Sequence, residues 1–259
     1  MSEGTPAAAI EVTDLSFEYG SHRILRQVNC RIPVGCFSVL LGRNGSGKST
    51  LLRLLAGLVP VRHGQVRVLG RDLAQLSGAE RARLVGFMPQ QHRAVFPFAV
   101  EDVVLTGRAS YVRLMPRRED EEKALSALEQ VGISHLRGRR FTELSGGEQQ
   151  MVMIARVLAQ EPAVIMLDEP TSHLDFLNQA RLLGLVRRLA GADRTVLAVL
   201  HDPNSAFVYG DHFVFLRDGQ VQALAADEQP WDAAVLERMY GAPIDTVPYG
   251  DRAVVVPRR

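Results

Sequence analysis

The chain has 259 residues, 46% hydrophobic and 23% charged, a globular composition that excludes a disordered or fibrous protein. The length leaves open one α/β domain or two small ones. Thirty basic against 29 acidic residues give a net charge of +1, which removes any whole-protein case for binding nucleic acid or an anionic membrane surface.

Lys48 and Lys123 are the only lysines among those basic residues; every other one is arginine. Cys30 and Cys36 are too few for a disulfide framework and read as buried thiols of a reducing compartment. The opening Met1–Ala9 has neither a basic start nor a long apolar core. Nor does any run approach the ~18 apolar residues of a membrane span. The expectation is a soluble, cytoplasmic protein.

Short apolar strands alternate with longer helical stretches. Residues 10–19 partly alternate in polarity, as a half-exposed strand does, whereas 36–41 is a near-continuous apolar run suited to burial on both faces. A Gly-rich turn leads into a helix over 48–56, closed by Gly57. Residues 65–69 and 85–88 read as further strands. Between 89 and 160 the pattern becomes helical only, with helices expected over 100–108, 118–131 and 147–159. Buried-type strands return at 163–167 and 195–200, separated by a helix over 179–190, and a hairpin turns at Asp218-Gly219 within 213–224. The fold class is therefore α/β, with a mostly parallel sheet and an inserted helical subdomain. The expected division is a domain over 8–225, with core 8–88 and 161–225 and helical subdomain 89–160. An extension over 226–259 follows, with a helix near 231–240 and a last strand at 253–256.

Gly42-Arg43-Asn44-Gly45-Ser46-Gly47-Lys48-Ser49 matches G-x-x-x-x-G-K-[ST] between a buried strand and a helix start, the setting that makes this a phosphate loop. Glycines let successive N–H groups face phosphate oxygens, and the helix start adds its dipole. Lys48 is a compact charge that reaches between β- and γ-phosphates where an arginine fork would be too bulky. Ser49 can place its hydroxyl on Mg²⁺. With Thr50, these residues are the candidates for binding a nucleoside triphosphate. Asp168 and Glu169 end the strand before them, at the sheet edge where ligands of parallel sheets lie. Asp168 is suited to Mg²⁺ and Glu169 to orienting and deprotonating an attacking water.

Leu144-Ser145-Gly146-Gly147-Glu148-Gln149-Gln150 is the motif that separates ATP-binding cassette proteins from other phosphate-loop proteins. With the phosphate loop, Gln90, Asp168-Glu169, Ser172–Asp175 and His201 in the same order, the chain resembles an ABC ATPase subunit over nearly its whole length. The resemblance implies a phosphate-loop NTPase core with N-terminal antiparallel strands, ATP and Mg²⁺ as ligands, and a head-to-tail homodimer. Ser145, Gly146, Gly147 and Glu148 would then complete the ATP site of the partner copy. Tyr19 would stack on adenine, and a strand aromatic in the core is the other reading of it. Gln90 would touch Mg²⁺ and the attacking water, with Gln91 competing for that role. His201 would hold the γ-phosphate, Glu169 and the water. The departures are Arg43, where proline is common, and Pro203, which stiffens the turn after His201. His22, His63, His92, His135 and His212 lack metal-ligand spacing, so no zinc or haem site is expected.

The apolar stretch Phe96–Arg108 suggests a groove for a partner helix, subdomain core being the alternative. This stretch, the run after His201 and the tail at 236–243 are similar to bacterial importers of iron–siderophore, haem, cobalamin or molybdate. That similarity implies two integral-membrane permease subunits above the dimer, an extracytoplasmic substrate-binding protein, and a peripheral place on the cytoplasmic face of the membrane. Neither nucleic acid nor cargo would touch this chain. A soluble ABC ATPase acting on ribosomes or DNA is the rival class, and the neutral charge weighs against it.

Overall fold

The computed structural model describes residues 8–90, 97–112, 114–225 and 227–258. In chain order the elements are β1 (Ala8–Tyr19), β2 (His22–Pro33), β3 (Phe37–Leu41), α1 (Lys48–Leu55), β4 (Val66–Val68), β5 (Arg71–Asp72), α2 (Gly78–Leu84) and β6 (Val85–Met88). Then follow α3 (Val100–Leu105), α4 (Arg118–Val131), α5 (Gly146–Ala159), β7 (Val164–Asp168), α6 (Phe176–Leu189) and β8 (Thr195–Val199). The chain closes with α7 (Pro203–Tyr209), β9 (His212–Arg217), β10 (Gln220–Gln222), α8 (Ala233–Tyr240), β11 (Ile244–Tyr249) and β12 (Arg252–Pro257).

Six strands in the order β10-β9-β3-β8-β7-β6 form the central sheet, parallel except at the β9–β10 hairpin. β3, β7 and β8 are buried at every residue, which is why their sequences run apolar without alternation. Successive side chains still part to opposite faces. Phe37, Val39, Leu41, Ile165 and Leu167 pack with the inserted helices, α6 and α8, while Leu40, Val164 and Met166 pack with α1 and the antiparallel strands. Those strands form a second sheet in the order β2-β1-β4-β5.

The inserted helices bring a buried ionic cluster that sequence reading missed. Arg108 is 3% exposed, donates to Asp120 and Glu161, and lies 3.9 Å from the ring centre of Tyr111. Lys123, its side chain 41% exposed, meets the shared Glu161 at 2.5 Å. Glu161 is 38 residues away in sequence, so only the fold brings the two together. The extension beyond residue 226 is not a separate body, because Val235, Leu236 and Met239 are buried in the same apolar cluster as Phe207 and Phe215. Among the described residues no helix is long and apolar enough to cross a membrane.

Candidate active site

The phosphate loop runs from the carboxyl end of β3 into α1. Gly42 stands at φ +149° where a Cβ would fall 2.1 Å from the Leu216 carbonyl oxygen, so any side chain would drive the loop off β9. Gly47 caps α1 at φ +102°, a conformation costly to other residues. Lys48 is 4% exposed, and its ammonium donates to the carbonyls of Gly42 (2.8 Å) and Arg43 (2.9 Å). Burial pulls its pKa below the ordinary lysine range, with Glu169 and Asp168 acting the other way.

Two parallel strands over, β7 delivers the acids. Ser49 donates its hydroxyl to Asp168 Oδ1 at 2.8 Å. Burial pushes the Asp168 carboxyl above the usual carboxylate range, against the Ser49 hydrogen bond, and the neighbouring Glu169 charge adds to the rise. Its Oδ2 is buried and finds no hydrogen-bond partner among the described residues, and neither does Ser46 Oγ. A buried, partnerless carboxylate oxygen beside a serine hydroxyl is a hard oxygen donor set that fits Mg²⁺.

Glu169 leaves β7 in the left-handed region, at φ +52°, a conformation costing a non-glycine residue ~1–2 kcal/mol. Three groups hold the carboxylate there. His201 Nε2, just past β8, lies 2.6 Å from Oε1, while Ser172 Oγ (3.1 Å) and Gln90 Nε2 both donate to Oε2. A carboxylate oriented from three sides at the mouth of a basic loop can accept a proton from a water. Lys48, Ser49 and Thr50 share one cavity of about 430 Å³ with Gln90, Glu169 and His201. Asn44, Gly45 and Gly47 complete its loop side.

Residues 25–172 match the ABC transporter family. The chain belongs to that family. The hemin import ATP-binding protein HmuV of Bordetella avium is 40% identical over 250 residues, covering 93% of this chain and 95% of that protein. The ferric enterobactin transport ATP-binding protein FepC of Escherichia coli K12 is 38% identical over 237 residues, covering 90% of this chain and 88% of that protein. Among solved structures, an ABC transporter assigned to the metal-chelate type, in an inward-facing conformation, superposes with a TM-score of 0.82 at 31% identity, covering 97% of this chain and 98% of that one. This ABC ATPase therefore has the expected α/β phosphate-loop cassette fold, antiparallel N-terminal strands included.

The ABC ATPase does not bring every predicted site residue into the phosphate-loop cavity. Ser145 caps α5, and Gly146, Gly147 and Glu148 form its first turn. Ser145, Gly147 and Glu148 line a different cavity, of about 500 Å³, against α6. There the Glu148 carboxylate accepts from the Ser145 amide (2.8 Å) and hydroxyl (2.7 Å), which holds its pKa low. Tyr19 is half exposed at the end of β1, edge-on to Phe17 at 4.8 Å, so it is not a core aromatic. Arg43 turns toward the extension, where a Cβ on Gly241 would lie 3.4 Å from its guanidinium. Gln91, His92 and Phe96 lie outside the described residues.

Sequence reading missed three contributors. Ser172 touches Glu169 directly, and its sequence signal was only membership of the Ser172–Asp175 motif. Ile24 of β2 lines the cavity without any chemical signature. Gln150, 6% exposed, donates at 2.6 Å to the carbonyl of Pro170, which ties α5 to the residue after Glu169.

Proposed function

We propose that this ABC ATPase is the motor of an iron-chelate importer, taking iron–siderophore complexes as the first candidate cargo. The observation that carries the hydrolytic part is Glu169, oriented by His201, Gln90 and Ser172 beside the Lys48 loop. The cargo reading is supported by likeness to FepC and HmuV over nine-tenths of the chain or more. Two copies would sit head to tail beneath two integral-membrane permease subunits, fed by an extracytoplasmic substrate-binding protein. The chain would thus lie on the cytoplasmic face of the membrane. In this division residues 8–88 and 161–225 form the catalytic core, 89–160 meet the permease, and 226–259 extend the core.

Gly42–Thr50 bind the triphosphate through backbone amides and the Lys48 ammonium. Ser49, Asp168 and Gln90 would hold Mg²⁺, which supplies charge neutralisation at the phosphates. Glu169 accepts the proton of the attacking water, and His201 and Gln90 keep that carboxylate aimed. Tyr19 offers an exposed ring for the adenine. Ser145 and the amides of Gly146–Glu148 close the γ-phosphate site of the partner copy, which is supported by their lining a cavity other than the phosphate-loop cavity.

HmuV supports a second cargo, haem, and the same experiment separates the two. The permease encoded with this chain is co-purified, reconstituted in proteoliposomes with its binding protein, and supplied with a ferric siderophore or haem. ATP-dependent uptake of the siderophore is the expected result; uptake of haem alone moves the cargo. Salt-sensitive ribosome or DNA binding without a permease partner overturns the importer reading.

A further inference from the structure

His201 contacts Glu169 from an exposed loop position, with its side chain 43% exposed, so something other than burial must fix it. The chain after it turns at once into α7. Asp202 caps that helix, accepting from the amides of Asn204 (3.1 Å) and Ser205 (2.9 Å) and from the Ser205 hydroxyl (2.6 Å). Pro203 at the first helical position presets the helical backbone angle. A helix of seven residues has little stability of its own, and its placement must come from what it packs on.

The C-terminal extension grips α7 at both ends and along its side. At the start, Asn204 exchanges two hydrogen bonds with the backbone of Val255 in β12, donating at 3.1 Å and accepting at 2.7 Å. At the end, the Arg252 guanidinium donates to the carbonyls of Phe207 and Gly210, the latter at 3.1 Å. Along the side, Trp231 lies edge-on to the buried Phe207 with ring centres 6.0 Å apart. Gly210 then brings the chain so close to β3 that a Cβ would lie 2.8 Å from Val39 Cγ2. Burial, followed by the nearby Asp202 carboxylate, pushes the Tyr240 phenol of α8 above its ordinary range.

We propose that the C-terminal extension is a brace that holds His201 against Glu169 by clamping α7, with Asn204 and Arg252 as the positioning residues. The bonds cross from the last strand of the chain to the helix beginning two residues after His201, and both clips end on backbone atoms. The Arg252 clip ends on backbone carbonyls at the end of α7 and so holds the helix as a body, while the Asn204 side chain ties its first turn to the β12 backbone. The brace rests on the reading of His201 and Glu169 given above. A misplaced His201 would leave the phosphate loop intact and weaken only the step that needs Glu169 aimed.

The test uses the full chain and steady-state ATP hydrolysis. Asn204→Ala and Arg252→Met are each expected to lower kcat by about tenfold while KM for ATP stays within about twofold. Arg252→Lys should recover most of the loss, because an ammonium can still donate to two carbonyls. In a His201→Ala background neither substitution should lower kcat further, since they act through the side chain already removed. If the loss persists undiminished in that background, or melting temperature falls and KM rises while kcat holds, the extension is ordinary scaffolding and the brace is wrong. If His201→Ala alone leaves kcat unchanged, the site reading fails and the brace with it. That variant keeps both clips, so the two failures are distinguishable.

Discussion

The phosphate-loop half of the site and the Ser145 half are built by opposite rules. In the first, Lys48, Asp168 and Glu169 are all buried at the edge of a parallel sheet, two of them carboxylates side by side. Burying such charges is costly, and the fold carries that cost in polar groups such as Asp168 Oδ2 that find no partner among the described residues. In the second half the polar groups face outward at a helix start, and Ser145 and Glu148 already satisfy each other. Under the proposed function this is a division of labour: the buried half is organised for chemistry, the exposed half for recognition by another copy.

The most severe test of that division is Glu169→Gln. The amide keeps the shape and can still meet Gln90 and His201, but it cannot take a proton. ATP hydrolysis should fall by ~10²–10⁴-fold with nucleotide affinity nearly unchanged, and the ATP-bound dimer should accumulate on gel filtration. Undiminished turnover would remove Glu169 as the base and put the chemistry elsewhere.

A second test asks whether the exposed half serves its own chain or another. Lys48→Ala should weaken ATP binding at least about thirtyfold, because it removes one partner of a buried charge cluster. Ser145→Arg should leave nucleotide binding intact and block hydrolysis by filling the space above the partner's phosphates. Each variant alone should be inactive. Mixed, they should regain hydrolysis, since a mixed dimer holds one site with both Lys48 and Ser145 whole. A mixture as dead as its parts would mean that the Ser145 half does not work across copies.

What the sequence made legible follows the same contrast. The phosphate loop, Asp168, Glu169 and His201 stood out because each is a distinctive residue type at a strand end, and the buried strands β3, β7 and β8 announce themselves by apolar runs. β2 could not be read. Its buried residues Leu25, Val28 and Ile32 are spaced three and four apart, a helical rhythm produced by register shifts against β1 and by Gln27 at φ +46°. α2 escaped because none of its residues is buried, so no apolar period marks it. The expected turn at Pro203 is the first turn of α7, since proline needs no hydrogen-bond donor there. The helix expected over 179–190 starts at Phe176, because Asp175 caps it by accepting from the Asn178 amide at 2.8 Å. Gln150 and Asn204 were invisible for a different reason: their partners are backbone carbonyls and amides remote in sequence.

The finest test uses a pair of helix caps that the molecule itself supplies. Ser77 and Glu80 cap α2 with the same reciprocal bonds that Ser145 and Glu148 use on α5. As local stabilisers the two serines are equivalent, and replacing either by alanine should cost ~1 kcal/mol. For a chain of this size that is a melting shift of ~2–4 °C, measurable by calorimetry. Only Ser145 belongs to the half assigned to recognition. Ser145→Ala should therefore lower kcat beyond any effect of stability, whereas Ser77→Ala should shift melting alone. Equal melting shifts with equal, unchanged kcat would reduce the Ser145 cap to a structural device, and the contrast between the two halves would then rest on the buried one.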